Sequence, residues 1–211
     1  MWKFLGAWCL AALLLPGAAA AAEPVCEVVA LLGEARLGEN GRMLALGDRL
    51  EAGAEVRTGR SGRLRLRFGD GSTLVVSDGS VLVIERYEQP AGQGRQARFL
   101  LELGLIGQKV MPGGSWEVRT PTAVTAVRGT EFIVEVARNL DTAVNVQSGN
   151  VSVEAVQVSP GGLTRSLRPR SMVALDSAEA GTQCNPDTGC SQVVTWSAAR
   201  VKRAQDLLSG V

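Results

Sequence analysis

The feature that most constrains this chain is an alternation of period two, broken by glycine-containing turns at very short intervals. "RLRLRFGDGSTLVVSDGSVLVIERYE", Arg63 to Glu88, shows it best. Leu64, Leu66 and Phe68 fall on one face and Arg63, Arg65 and Arg67 on the other, the pattern of a half-buried strand. Asp70-Gly71 and Asp78-Gly79 follow, eight residues apart, and each precedes a serine and then an apolar run. Glycine accepts the positive φ that tight turns demand, so these pairs mark strand ends. The same grammar runs from Val28 to about Ala174. It includes bends at Asn40-Gly41, Gly47-Asp48 and Ala52-Gly53, then "RFLLELGLIGQKV", "SWEVRT", "AVTAV", "EFIVEVA", "TAVNVQSGNVSVEAVQV" and "SMVALD". The expected fold is all-β, a single domain of many short strands in a β-solenoid-like or sandwich arrangement, since both produce short alternating strands with glycine turns.

The two ends read differently. Residues 1–22 carry one early lysine, Lys3, an apolar run from Phe4 to Leu15 and then small residues ending in Ala20-Ala21-Ala22. That is the anatomy of a cleaved secretory signal peptide, and the run is shorter than the roughly 20 residues of a spanning helix. An exported chain beginning near Glu23 is expected, periplasmic or on the cell surface. At the other end, "TWSAARVKRAQDLLSG" offers Thr195 or Ser197 as N-cap, with Ala198, Val201, Ala204 and Leu208 at helical spacing and Gly210 as a stop. One amphipathic helix is expected within residues 195–211, packed on the β-domain or docked on a partner. The resulting division is signal peptide 1–22, β-domain 23–176, a disulfide-closed loop 177–194 and the helix.

Composition removes whole classes of chemistry. There is no histidine, so histidine-based acid–base catalysis and histidine-ligated metals are excluded. Beyond residue 22 the basic and acidic residues number 21 each, and no general attraction to nucleic acid follows. Three cysteines remain after export. "CNPDTGC" places Cys184 and Cys190 around turn-forming residues, which favours a small disulfide loop in an oxidising compartment. Cys26 is then left over, either buried or free to link to another chain. Asp70, Asp78, Glu85 and Glu88 are the acidic candidates for catalysis or calcium, but the two aspartates suit turns and no calcium-repeat unit surrounds them. No cofactor, metal or catalytic residue is assigned.

"TPTAVTAVRGTEFIVEV", Thr120 to Val136, reads as two strands joined by an Arg-Gly-Thr that no strand needs. Gly129 permits a tight connection, Thr130 can bond the local backbone, and the Arg128 guanidinium can pin carbonyls or a carboxylate across it. With Gly53 to Thr58, Asp70-Gly71-Ser72, Val118 to Pro121 and Val127 to Phe132, the stretch from Gly47 to Val153 resembles the FecR-type periplasmic domain. Thr120, Pro121, Arg128, Gly129, Thr130 and Phe132 match that family's core motif. The resemblance implies a β-module beyond the inner membrane, which in familiar members follows a membrane span and a cytoplasmic segment controlling a sigma factor. Those members take a signal from an outer-membrane receptor of iron-siderophore uptake. Here only the signal peptide precedes the β-domain, so the expectation is a stand-alone, non-enzymatic binding or scaffold module of the envelope.

An envelope protein is the expected partner. The alternative is an anionic glycan or lipopolysaccharide on a basic face made by Arg60, Arg63, Arg65 and Arg67, with a second cluster at Arg165, Arg168 and Arg170.

Overall fold

The computed structural model describes residues 23–91, 94–159, 162–165 and 172–211; the expected signal peptide lies outside them. In chain order the strands are β1 Pro24–Leu32, β2 Ala35–Leu37, β3 Arg49–Glu51, β4 Glu55–Thr58, β5 Arg63–Phe68 and β6 Thr73–Val76. Next come β7 Val81–Glu88, β8 Gln96–Lys109, β9 Ser115–Arg119, β10 Ala123–Val127, β11 Glu131–Val136 and β12 Thr142–Ser148. The last are β13 Val151–Ser159, β14 Gly162–Arg165, β15 Met172–Leu175, β16 Ala180–Asn185, β17 Gly189–Cys190 and β18 Val194–Thr195, before the helix α1 Ala198–Leu208.

The strands form two layers. One runs β3-β1-β5-β6-β8-β11-β12-β16, with β17 and β18 on the far side of β16. The other runs β2-β4-β7-β8-β9-β10-β13-β15. All of these pairings are antiparallel except β8 with β9. Stacked coils of a solenoid would pair in parallel, so the architecture is a folded-over sandwich. A trace of the other expectation survives in the chain path, which winds from layer to layer every one or two strands. The long β8 belongs to both layers: Gln96–Leu103 pairs with β7 in the second, and Gly104–Lys109 with β11 in the first. The bend falls at Gly104, φ 99°, where a Cβ would lie 2.6 Å from the Cα of Ser80.

The expected alternation of β5 holds: Leu64, Leu66 and Phe68 are buried between the layers. At one end of that core Phe68 from the first layer meets Trp116 and Phe99 from the second, with ring centroids 4.9 and 5.6 Å away, and Tyr87 stacks at 5.1 Å. Edge-to-face packing of this kind adds about 0.5–1.5 kcal/mol per pair beyond burial. Gln108 breaks the pattern. It points into the sandwich between Ile106 and Val110, 2 % exposed, and neither amide atom has a hydrogen-bond partner among the described residues.

Asp70-Gly71 is the hairpin turn expected of it: Asp70 Oδ1 accepts from Ser72 N at 2.9 Å and Phe68 N donates to Ser72 O. Asp78-Gly79 is a turn of another kind, because β6 and β7 lie in different layers. Arg128-Gly129-Thr130 is the same device, carrying the chain from β10 to β11. It packs on a second corner, Gly149-Asn150, which returns the chain from β12 to β13. Thr130 shares its single hydroxyl proton between Arg128 O at 3.1 Å and Asn150 O at 3.0 Å. The expected clamp by Arg128 is not formed: the residue is exposed and its guanidinium has no partner among the described residues. Backbone carbonyls of a tight corner are already met by Thr130, which leaves the arginine nothing to hold.

Residues 177–194 are also more than a loop. A disulfide joins Cys184 and Cys190 as expected, but the segment is a hairpin whose β16 extends the first layer along β12. Cys26 is buried, and burial pushes its thiol pKa up to about 12. The native protein should therefore resist iodoacetamide at pH 8 and take up one equivalent only after denaturation, since the thiolate is the nucleophile. At the paired corners, Gly149 has φ 89° and a Cβ there would lie 2.8 Å from Thr130 Oγ1. Gly149→Ala should cost about 1–3 kcal/mol in urea unfolding, whereas Arg128→Ala should stay within about 0.5 kcal/mol.

Candidate functional site

Strands that alternate strictly leave their outer residues to water. Several in the first layer do not. In β8 both Leu105 and Ile106 are buried, in β11 Phe132, Ile133 and Val134 are, and β12 is buried from Thr142 to Val146. Phe132 and Val134 face the core, so Ile133, Leu105 and Ala143 must be covered from outside. The cover is α1.

An isolated helix of this length is marginal in water, so its stability comes from docking. It spans about 16 Å, roughly three strand spacings of about 4.8 Å, and lies over β12, β11 and β8, with Trp196 before it on β16 and Arg63 of β5 reaching its last turn. Val201 and Ala204 pack with Leu105, Ile133, Ala143 and Trp196 in a second apolar cluster. Small residues make the floor. A Cβ on Gly107 would lie 2.5 Å from a methyl of Leu208, and one on Gly181 would lie 2.3 Å from Trp196 Nε1. Ser197 is the N-cap, accepting from Arg200 N at 3.3 Å. Arg200 stacks over Trp196, its guanidinium carbon 3.7 Å from the ring centroid. At the other end Arg63 donates to the carbonyls of Asp206 at 3.2 Å and Ser209 at 2.9 Å, and Ser77 Oγ donates to Leu207 O at 3.1 Å. A cation on the carbonyl end of a helix is also favoured by the helix dipole.

This settles what the basic face does locally. Arg63 is engaged with α1, and Arg67 pairs with Glu27 at 3.5 Å. Arg60 is exposed in the turn that precedes β5. Arg65 points into a cleft of about 350 Å³ between the last turn of α1 and the sheet, whose lining includes Thr73, Val75, Gly107, Lys109, Glu131 and Gln205. Gln205 Nε2 closes one side by donating to Gln147 Oε1 at 2.9 Å. Neither Arg65 nor Lys109 has an ion-pair or hydrogen-bond partner among the described residues. Of the four arginines in the stripe, Arg63 and Arg67 make structural contacts, and Arg60 and Arg65 have no partner among the described residues. The second cluster is not comparable: Arg168, Arg170 and the side chain of Arg165 lie outside the described residues.

The remaining motif residues build scaffold. Thr120 Oγ1 is 2.8 Å from Thr142 Oγ1, which is 2.7 Å from Thr122 Oγ1, and Thr122 reaches Leu140 O at 3.0 Å. This buried hydroxyl knot ties the β9–β10 turn, where Pro121 sits, to the β11–β12 hairpin of the opposite layer. Phe132 is core. Among the acidic candidates, Asp78 Oδ1 accepts from Ser77 Oγ at 2.9 Å, Glu85 pairs with Arg119 at 3.3 Å and Glu88 with Arg86. These carboxylates serve turns and cross-strand ion pairs.

The helix cover was not legible from alternation alone, but the consecutive apolar residues Leu105-Ile106 and Phe132-Ile133-Val134 are the signal that could have found it. Val201→Asp would place an unpaired charge in that packing. It should accelerate tryptic cleavage at Arg200, Lys202 or Arg203 at least tenfold and raise dye binding to the bared sheet, while the sandwich keeps its cooperative unfolding. Equal cleavage rates would mean that the packing does not hold the helix.

No curated protein matches the chain. Two crystal structures of a candidate anti-sigma factor from Parabacteroides distasonis ATCC 8503 share its fold, at 22 % identity and TM-scores of 0.52 and 0.53. Each alignment covers 70 % of this chain and 62 % of that one, so the chain spans less than two thirds of that protein's length. The family model described as FecR protein matches residues 54–152, from the start of β4 to the start of β13. The flanking strands β1, β2 and β16 extend the same two sheets outward from it. Residues 54–152 of this chain are a FecR domain.

Proposed function

We propose that this chain is an exported, non-enzymatic FecR module that works in envelope signalling by contact with another protein. The observation that carries the reading is the FecR match over residues 54–152, joined to the fold shared with a candidate anti-sigma factor. Export is supported by the signal-peptide anatomy of residues 1–22 and by the Cys184–Cys190 disulfide, which suits an oxidising compartment. A non-catalytic role is supported by the work already assigned to the acidic candidates Asp70, Asp78, Glu85 and Glu88, which serve turns and ion pairs.

The contact surface we favour is the face carrying α1. The polar side of the helix, Lys202 and Arg203, is exposed there, with Arg60 exposed in the turn before β5, and a rigid helix on a sheet gives a partner a fixed target. The basic stripe gives little support to a polyanion reading, because Arg63 and Arg67 are already engaged within the chain.

Two measurements test this. Fractionation with intact-mass analysis should find the chain in the periplasm, starting near Glu23 and carrying one disulfide. Photo-cross-linking from positions 60 and 203 in cells should yield one dominant envelope protein, while a control position on the opposite layer, such as 126, should not. Adducts of equal yield from both layers, or a cytoplasmic chain, would overturn the reading.

A further inference from the structure

We propose that the cleft beside the C-terminal end of α1 binds a small amphipathic carboxylate, its apolar tail on the floor of the cleft and its head between Arg65 and Lys109. The floor is made by Val75 and by Leu208, whose methyls fill the space above the backbone of Gly107. Gly107 stands opposite Val75 on the ladder, so Leu208 seated on it borders Val75. The two cations stand on β5 and β8, two strand spacings across the sheet and two residues along it, about 12 Å apart, a span that long side chains can close on one head group. Both lack partners among the described residues, so neither must surrender an ion pair on binding.

The neighbouring charges fit an anion. Arg63 covers the carbonyls of Asp206 and Ser209, and so masks the negative end of the helix dipole that would repel one. A planar guanidinium matches the two oxygens of a carboxylate. Thr73 adds a hydroxyl at the ladder position opposite Lys109. Glu131, directly across from Lys109 on β11, is the one unfavourable neighbour. It sets the preference for a single negative charge. A cleft of about 350 Å³ lies at the lower end of small-molecule sites and suits an acyl chain of about eight carbons.

The test is a proton–nitrogen NMR titration of the mature chain with octanoate, and with acetate and octanol as head-only and tail-only controls. Octanoate should shift the amides of Gly107, Lys109, Gln205 and Leu208 with a Kd below about 1 mM, and each control should bind at least tenfold more weakly. Arg65→Gln combined with Lys109→Gln should weaken octanoate at least tenfold without changing octanol, whereas Glu131→Gln should tighten octanoate severalfold. All three positions border open solvent, and unchanged thermal midpoints would confirm intact folds. Octanol binding as tightly as octanoate, an unaltered Kd in the double variant, or shifts confined to other surfaces would each overturn the proposal. These outcomes are independent of any protein partner.

Discussion

The structure rests on one constraint: a chain that changes layer every few residues must turn corners without leaving buried backbone groups unpaired. Each corner removes a peptide or two from the ladders, so their carbonyls and N–H groups need local partners. At the paired corners of residues 128–130 and 149–150 a single threonine hydroxyl provides for two carbonyls, and Val110 N donates to Thr130 O at 2.9 Å. Elsewhere the same need is met by Thr58, whose hydroxyl donates to Ser77 O at 2.6 Å and accepts from Ser80 N at 2.8 Å. The family motif, read physically, is corner chemistry: Thr, Gly and Ser recur because they settle backbone polarity where no strand can.

The β-class, the strand register of β5, the disulfide and the terminal helix were legible because each is written locally, in alternation, cysteine spacing and helical periodicity. The layer to which each strand belongs was not. Asp70-Gly71 and Asp78-Gly79 look alike in sequence, yet one closes a hairpin and the other changes sheet. That difference lies in which distant strands the flanking segments pair with, β5 and β8 for β6 but β4 and β8 for β7. The role given to Arg128 failed for a related reason. Its chemistry allowed a clamp, but whether carbonyls remained to be clamped depended on Thr130 and on a corner twenty residues away.

The candidate site was half legible. The arginine row and the helix could each be read, but not that they meet. Arg63 and Arg65 differ by one pleat repeat and point the same way, so the sequence gives them equal standing. Docking of α1 separates them: Arg63 falls under the last turn and is held by two carbonyls, whereas Arg65 is left facing the cleft. A surface of this kind is made by tertiary contact between segments more than a hundred residues apart, which no local pattern encodes.

The winding path also bears on how the chain comes to be folded. Strands adjacent in space are often distant in sequence, as with β1 and β5, β10 and β13, or β12 and β16. Loop closure must then precede the contacts that reward it. The helix takes this furthest, since residues 206–209 fasten Arg63 and Ser77. The first layer therefore stays unclamped until almost the whole of the described chain is available. Its outer apolar row at Leu105, Ile133 and Ala143 is open to other chains throughout that interval, because the helix that covers it follows every strand of the described residues.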